Sequence, residues 1–177
     1  MPFSFNQETV DVIGVVMRGN HYLEGVLRTT ITVDGTDASR AITDMVRQSR
    51  HHRQLRAIMI DGGALGGFNV VDGQYLFQHT EIPVMTVTAN QPNPQALLRA
   101  LQQHFDDWKA RWALLEKGEL HTVPLMYPLY VKSFGLSKEE TRDILKVSIV
   151  RGATPEPIRT AHLIATGIKT DTSSGQT

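Results

Sequence analysis

The chain of 177 residues contains no cysteine. That absence removes both a disulfide framework and a thiolate metal site, and it points to a reducing compartment. No apolar run approaches membrane-spanning length, and residues 1–19 lack the basic start and apolar centre of a secretory signal. Neither sign of charge predominates, because 18 Lys and Arg balance 18 Asp and Glu. A broadly basic coat for nucleic acid is thereby excluded, whereas a local basic groove is not. Several site types are missing too: a Cys/His zinc cluster, a phosphate loop ending in Gly-Lys-Ser/Thr, and a Gly-x-Ser-x-Gly elbow. No membrane partner is expected. What remains is a cytoplasmic, single domain over residues 1–177, whose polar end from Lys169 is expected to fray.

The stretch that organises the rest is Leu55–Val71, LRAIMIDGGALGGFNVV. Ala57–Ile60 is wholly apolar, as a strand covered on both faces is. It stops at Asp61, which therefore emerges at the strand's carboxyl end. Gly62, Gly63, Gly66 and Gly67 follow, permitting positive φ and close approach of another group. Their spacing is not the dinucleotide fingerprint. Ligands bind at the carboxyl ends of strands in open α/β sheets, so an acid on that rim could hold a metal ion. The alternative is that Asp61 caps a helix or pins a turn that the glycines shape.

Around this stretch the pattern reads as α/β. Val10–Met17 and Tyr22–Val33 form an antiparallel hairpin about an Arg18–His21 turn, with a bulge at Gly25. Thr36 or Asp37 caps a helix running to about Ser49. Arg47, Arg50, His51, His52, Arg53 and Arg56 gather at its end, either as cations suited to a helix carboxyl terminus or as a phosphate-contacting patch. A helix over about Val70–His79 and a strand over Ile82–Val87 complete a parallel crossover. Gln95–Phe105 is helical and continues through Lys117, with Trp108, Trp112 and Leu115 spaced for core or dimer contact rather than base stacking. Pro124 and Pro128 confine Leu120–Val131 to a sheet edge. Ser137 and Glu140 form a capping box for a helix to about Val150, and a last helix covers Ile158–Ile168.

Among residues able to carry chemistry, Asp34 ends the second strand, Asp61 the central one, and Asp72 comes after the glycine loop. Carboxylates converging from separate strands suit a hard cation such as Mg²⁺. His162, with Arg159 one turn earlier on the same helical face, could ligate the metal or move a proton. Each also has an ordinary role open to it, as a turn residue or a surface histidine.

The blocks YLEGVL, TVDGTDA, AIMIDGGALGGFNVVD, IPVMTV and RGATPEPIRTAHLIATGI resemble the signature of an uncharacterised, mostly archaeal family related to endonuclease V. The onward link rests on Tyr22, Gly25 and Leu27, on Asp61-Gly62, and on Pro155–Ala161. The resemblance implies a ribonuclease H-like mixed sheet with helices on both faces. In the enzymes it implies Mg²⁺-dependent (or Mn²⁺-dependent) cleavage of DNA or RNA near deaminated bases such as inosine. Asp61 falls at a metal-binding aspartate and His162 at a metal-proximal Asp or His. The enzymes' strand glutamate falls close to Ile31, with Asp34 the nearest substitute. The implied metal ligands are thus Asp61 and Asp34, with His162 beside them. Nucleic-acid contacts would come from Arg159, Gly62, Gly63, Gly66, Gly67, Asn69, Tyr22 and Gly25.

One departure stands out. Relatives begin with a strand ending in Asp-Asp, which would lie between the hairpin and the Ile58 strand. Met1–Phe5 resembles the segment just after those acids. The expectation is an additional upstream strand, and a weakened metal site without it. Two functions remain in view: a metal-dependent nuclease, or a nucleic-acid binding module of the same fold that has lost the chemistry. A small-ligand or protein-interaction role, with the apolar Leu120–Tyr130 strip as the contact surface, is a third.

Overall fold

The computed structural model describes residues 8–173, with side chains to Ile168. Two long strands come first. β1 (Thr9–Arg18) and β2 (Tyr22–Thr32) pair antiparallel about a turn in which Gly19 takes φ +60. The register slips between Val16 and Met17, which face Gly25 and Leu23, so Glu24 is the extra residue of a bulge beside Gly25. Asp11 and Arg28 pair across the hairpin at 2.9 Å.

The parallel crossover is present. β3 (Ile58–Asp61) pairs with β6 (Val84–Thr88) in parallel, and α2 (Gly73–Thr80) lies between them in sequence. α2 starts later than expected because Asn69–Val70 (β5) instead pairs with Ala64–Leu65 (β4) across the glycine loop. β8 (Leu129–Phe134) pairs antiparallel with β6 on one side and with the short edge strand β7 (His121–Val123) on the other. Pro124 and Pro128 fall between these two strands, where no ladder hydrogen bond is asked of them.

Alternation along the strands sorts the core into two. Ile58, Ile60 and Val84 pack with Ile42 and Val46 of α1 (Ala38–Gln48) and Leu76 of α2. Met59, Met85 and Val87 pack on the opposite face with Ile144 and Leu145 of α5 (Lys138–Ser148) and Ile158 of α6 (Glu156–Ser173). The sheet therefore has helices on both faces, the α/β arrangement expected. The capping box is formed: Ser137 Oγ accepts from Glu140 N, and Glu140 accepts from Ser137 N at 2.8 Å.

Two further helix boundaries differ from expectation. The Gln95–Lys117 helix is broken into α3 (Pro94–His104) and α4 (Trp108–Glu116). Phe105 adopts extended backbone at φ −137, which sets its ring edge-on to Phe68 with centroids 5.3 Å apart. α6 begins at Glu156 and runs beyond Ile168 to Ser173. The expectation of a frayed end therefore concerns side chains outside the described residues. Among the described residues no helix is long and apolar enough to cross a membrane.

Candidate functional site

A cavity of about 730 Å³ opens beside Asp61. Its long walls are β1 and β3. Met45 and Val46 of α1 close one face, and Ile144 of α5 with Ile158, Ala161 and His162 of α6 close the other. Asp61 is the last residue of β3 and is exposed. Its backbone is fixed by the sheet, because the next amide, Gly62 N, donates to Val87 O at 2.9 Å. No hydrogen bond or ion pair among the described residues engages its carboxylate. Gly62 follows at φ +76 with open space where a side chain would stand. His162 reaches the same cavity from α6 because Ile158, Ala161, His162 and Ala165 recur on one helical face. Asp61 and His162, distant in sequence, are thus brought to one space.

Asp34 is used differently. It sits at φ +54, its amide donates to Gly66 O at 2.8 Å, and its carboxylate accepts from Phe68 N at 2.7 Å. A Cβ on Gly67, itself at φ +87, would overlap that carboxylate. Asp34 therefore ties the β2 turn to the glycine loop and does not line the cavity. Ile31, at 1% exposure, is packed in the core.

Several of the residues expected to contact nucleic acid have partners within the fold. Asn69 is fully buried, donating to Thr32 O at 2.9 Å and Asp37 Oδ1 at 2.6 Å while accepting from Ala38 N at 3.0 Å. It thereby fixes the start of α1, and no solvent-borne ligand can reach it. Burial pushes the Asp37 carboxyl upward, but donation from Asn69 and Thr32 holds it below the ordinary aspartate range. Gly25 leaves room for His51, whose Nε2 would stand 2.9 Å from an added Cβ. Gly66 admits Val10 Cγ1 at 2.7 Å, and Gly63 admits Leu115 at 3.3 Å. Arg159 gives the Nε–Nη2 edge of its guanidinium to the buried Glu156, at 2.6–3.0 Å. That bond holds the Glu156 carboxyl below the ordinary glutamate range. Tyr22 is exposed at the start of β2. Asp72 caps α2 by accepting from Tyr75 N at 3.0 Å and pairs with Lys117 at 2.6 Å.

Arg111 is a structural residue that sequence reasoning does not single out. Buried on α4, its Nη1 donates to Gly35 O at 2.9 Å and Phe68 O at 2.7 Å, and its Nε donates to Asp107 at 2.8 Å. One guanidinium thus clamps the Asp34 turn to the glycine loop. The available signal was a lone arginine amid the apolar residues of a helix that also carries Trp108, Trp112 and Leu115.

Among the described residues no three His, Asp or Glu side chains come together as a cation site. A Mg²⁺ ion is held by one or two carboxylates together with water and substrate phosphate. Asp61 with His162 alone falls at the lower end of that requirement, so residues 8–173 do not by themselves fit the ion.

The family described as Endonuclease dU matches residues 2–169. A UPF0215 protein of Methanothermobacter thermautotrophicus is 44% identical over 96% of this chain and 84% of its own length. The crystal structure of a protein of unknown function from Archaeoglobus fulgidus superposes with a TM-score of 0.86 at 35% identity, covering 93% of both chains. Ciona intestinalis endonuclease V, solved with DNA containing an inosine followed by a ribo-adenosine, gives 0.54 at 12% identity over 96% of this chain and 89% of its own. That last likeness is one of fold, the ribonuclease H-like one.

Proposed function

The chain belongs to the endonuclease dU family, and from that premise we propose that it serves as a metal-dependent endonuclease cutting a phosphodiester near deaminated bases. The observation that carries the reading is an uncommitted carboxylate, Asp61, at the carboxyl end of a central strand, sharing one cavity with an imidazole. The substrate would be nucleic acid, as in the DNA-bound Ciona neighbour. Mg²⁺, or Mn²⁺ in its place, would supply charge stabilisation at the scissile phosphate. The described residues do not fit that ion alone, and no step is derived through it.

The residues themselves support a division of labour. Asp61 can accept a hydrogen bond from an approaching water and turn its lone pair toward phosphorus. His162 can hold or return a proton at a ring nitrogen. Gly62, with open space in place of a side chain, lets a sugar-phosphate backbone come close to Asp61.

The test uses DNA oligonucleotides carrying one deoxyuridine or deoxyinosine, against the unmodified strand, with Mg²⁺, Mn²⁺ or EDTA. Cleavage is expected beside the deaminated base. Asp61→Asn should lower it by about a hundredfold or more, the order lost when one transition-state stabilising group is removed. Full activity in that variant would remove Asp61 from the mechanism.

A second reading has its own support in the buried Ile31 and the hydrogen-bonded Asp34: a binding module that keeps the fold without the chemistry. It expects binding of the same oligonucleotides in EDTA, weakening steeply with salt, and no cleavage under any metal.

A further inference from the structure

The carboxyl rim that carries Asp61 continues across two more strands. Asp61 pairs with Val87 of β6, Val87 with Val131 of β8, and Leu129 of β8 with Val123 of β7. β6 runs parallel to β3, and β8 runs antiparallel to β6, so the chain leaves β7 and enters β8 on the same rim as Asp61. β8 stands two strand spacings from β3, about 10 Å at roughly 4.8 Å each. The turn that leads into it, residues 124–128, reads Pro-Leu-Met-Tyr-Pro.

That turn is held at its base and turned outward at its tip. Pro124 and Pro128 fix φ at its two ends. Leu125 donates its amide to Val123 O at 3.0 Å and packs against the core of Met85, Val87 and Leu129. Met126 and Tyr127 stand outside that core, 90% and 51% exposed. Apolar residues exposed singly are ordinary, but two in succession on a proline-bounded turn make a fixed apolar tip. Its surroundings select the partner. Residues 88–95 and 120–131 contain no Asp or Glu, so neither segment repels a polyanion. They contain no Lys or Arg either, the residues by which a membrane-surface anchor holds anionic lipid. Asn90 and Gln91 are exposed on the rim between Asp61 and the tip, with side-chain amides able to donate to phosphate or sugar oxygens.

We propose that Met126 and Tyr127 form a nucleobase subsite for the strand whose phosphate lies at Asp61. The base they receive is about three nucleotides from that phosphate, since stacked nucleotides advance roughly 3.4 Å each. Tyr127 stacks on the face of the base, and Met126 lays its polarizable thioether beside it. Every base has such a face, so the contact holds the strand in place without reading its sequence. No charge takes part, and the affinity it adds is not screened by salt. The subsite rests on the nucleic-acid partner of the reading above and not on cleavage: a binding module without chemistry keeps it.

The test is fluorescence anisotropy, in EDTA and again with Ca²⁺, on single-stranded DNA carrying one deoxyuridine and one abasic site. The abasic site is moved through the five positions on either side of the deoxyuridine. For the native chain, one or two positions should lower affinity by about tenfold, within the range that loss of one base–aromatic stack brings. Met126→Ser combined with Tyr127→Ser should bind the intact strand about tenfold more weakly and lose its sensitivity to the abasic site. Its salt slope should be unchanged, because no charge is removed. Tyr127→Phe keeps the ring and should keep the affinity. The urea midpoint should stay in place, since neither side chain belongs to the core. Unchanged affinity in the double variant, or an equal abasic penalty in both chains, overturns the subsite. So does a double variant altered only in its sedimenting mass, which assigns the tip to a second copy of the chain. If the native chain binds none of the strands, the nucleic-acid partner falls together with the subsite. If it binds with the abasic pattern and no metal supports cleavage, the nuclease reading falls alone.

Discussion

Two glycines of the same loop carry different burdens. Gly62 and Gly67 both take positive φ, at +76 and +87. Around Gly62 an added methyl meets nothing within 4 Å, whereas at Gly67 it meets the Asp34 carboxylate that holds Phe68 N. Gly62→Ala should therefore cost about 1–2 kcal/mol, the backbone term alone. Gly67→Ala should cost roughly 2–4 kcal/mol, because displacement of Asp34 adds to that term. Urea denaturation of the two variants checks the order, and equal losses would mean that Asp34 does not hold the loop. The same residues show where reading from sequence stops. Asp61 was legible because an apolar run that ends in an acid puts that acid on the strand's rim. Asp34 and Asn69 were not, because each is a polar residue turned inward by partners elsewhere in the fold: Phe68 for Asp34, and Thr32, Asp37 and Ala38 for Asn69.

Elements whose signals are local came through intact, among them the hairpin about Gly19 and the Ser137–Glu140 box. The α3–α4 break did not, because Phe105 leaves the helix to meet Phe68, a contact no local pattern announces. Once separated, α4 is anchored through Arg111, whose guanidinium also lies over the Phe105 ring at 4.3 Å from the centroid. Arg111→Met keeps most of the apolar stem and removes the donors. Two carbonyls, Gly35 O and Phe68 O, then lose the partner that Nη1 provides. The expected loss is roughly 2–3 kcal/mol, the penalty of stranding such groups, with the exposed side of Asp107 contributing little. Faster hydrogen exchange should accompany it in the glycine loop and the Asp34 turn, far from α4 in sequence. A loss confined to α4 would show that the arginine serves only its own helix.

At the scale of the whole molecule the balanced charge conceals an uneven distribution. Arg18, Arg28, Arg40, Arg111, Arg142 and Arg159 each have a carboxylate partner. Arg47, Arg50, Arg53 and Arg56 form no ion pair among the described residues, and Arg56 stands at the cavity wall. They lie around the end of α1 and the start of β3, so the cavity joins a basic end to the acidic end at Asp61. Cations at a helix carboxyl terminus need no ligand to explain them, and the sequence pattern alone left that choice open. Salt dependence separates the two accounts. If the patch contacts phosphate, Arg47→Gln, Arg50→Gln and Arg53→Gln combined should flatten the slope of log affinity against log salt by roughly 2–3, since each phosphate contact contributes about 0.7–0.9. The melting temperature should hardly move, because none of the three side chains is held in an ion pair. An unchanged slope would leave the arginines as solvated helix-end charges and move the nucleic-acid path to the Gly62 side of the cavity.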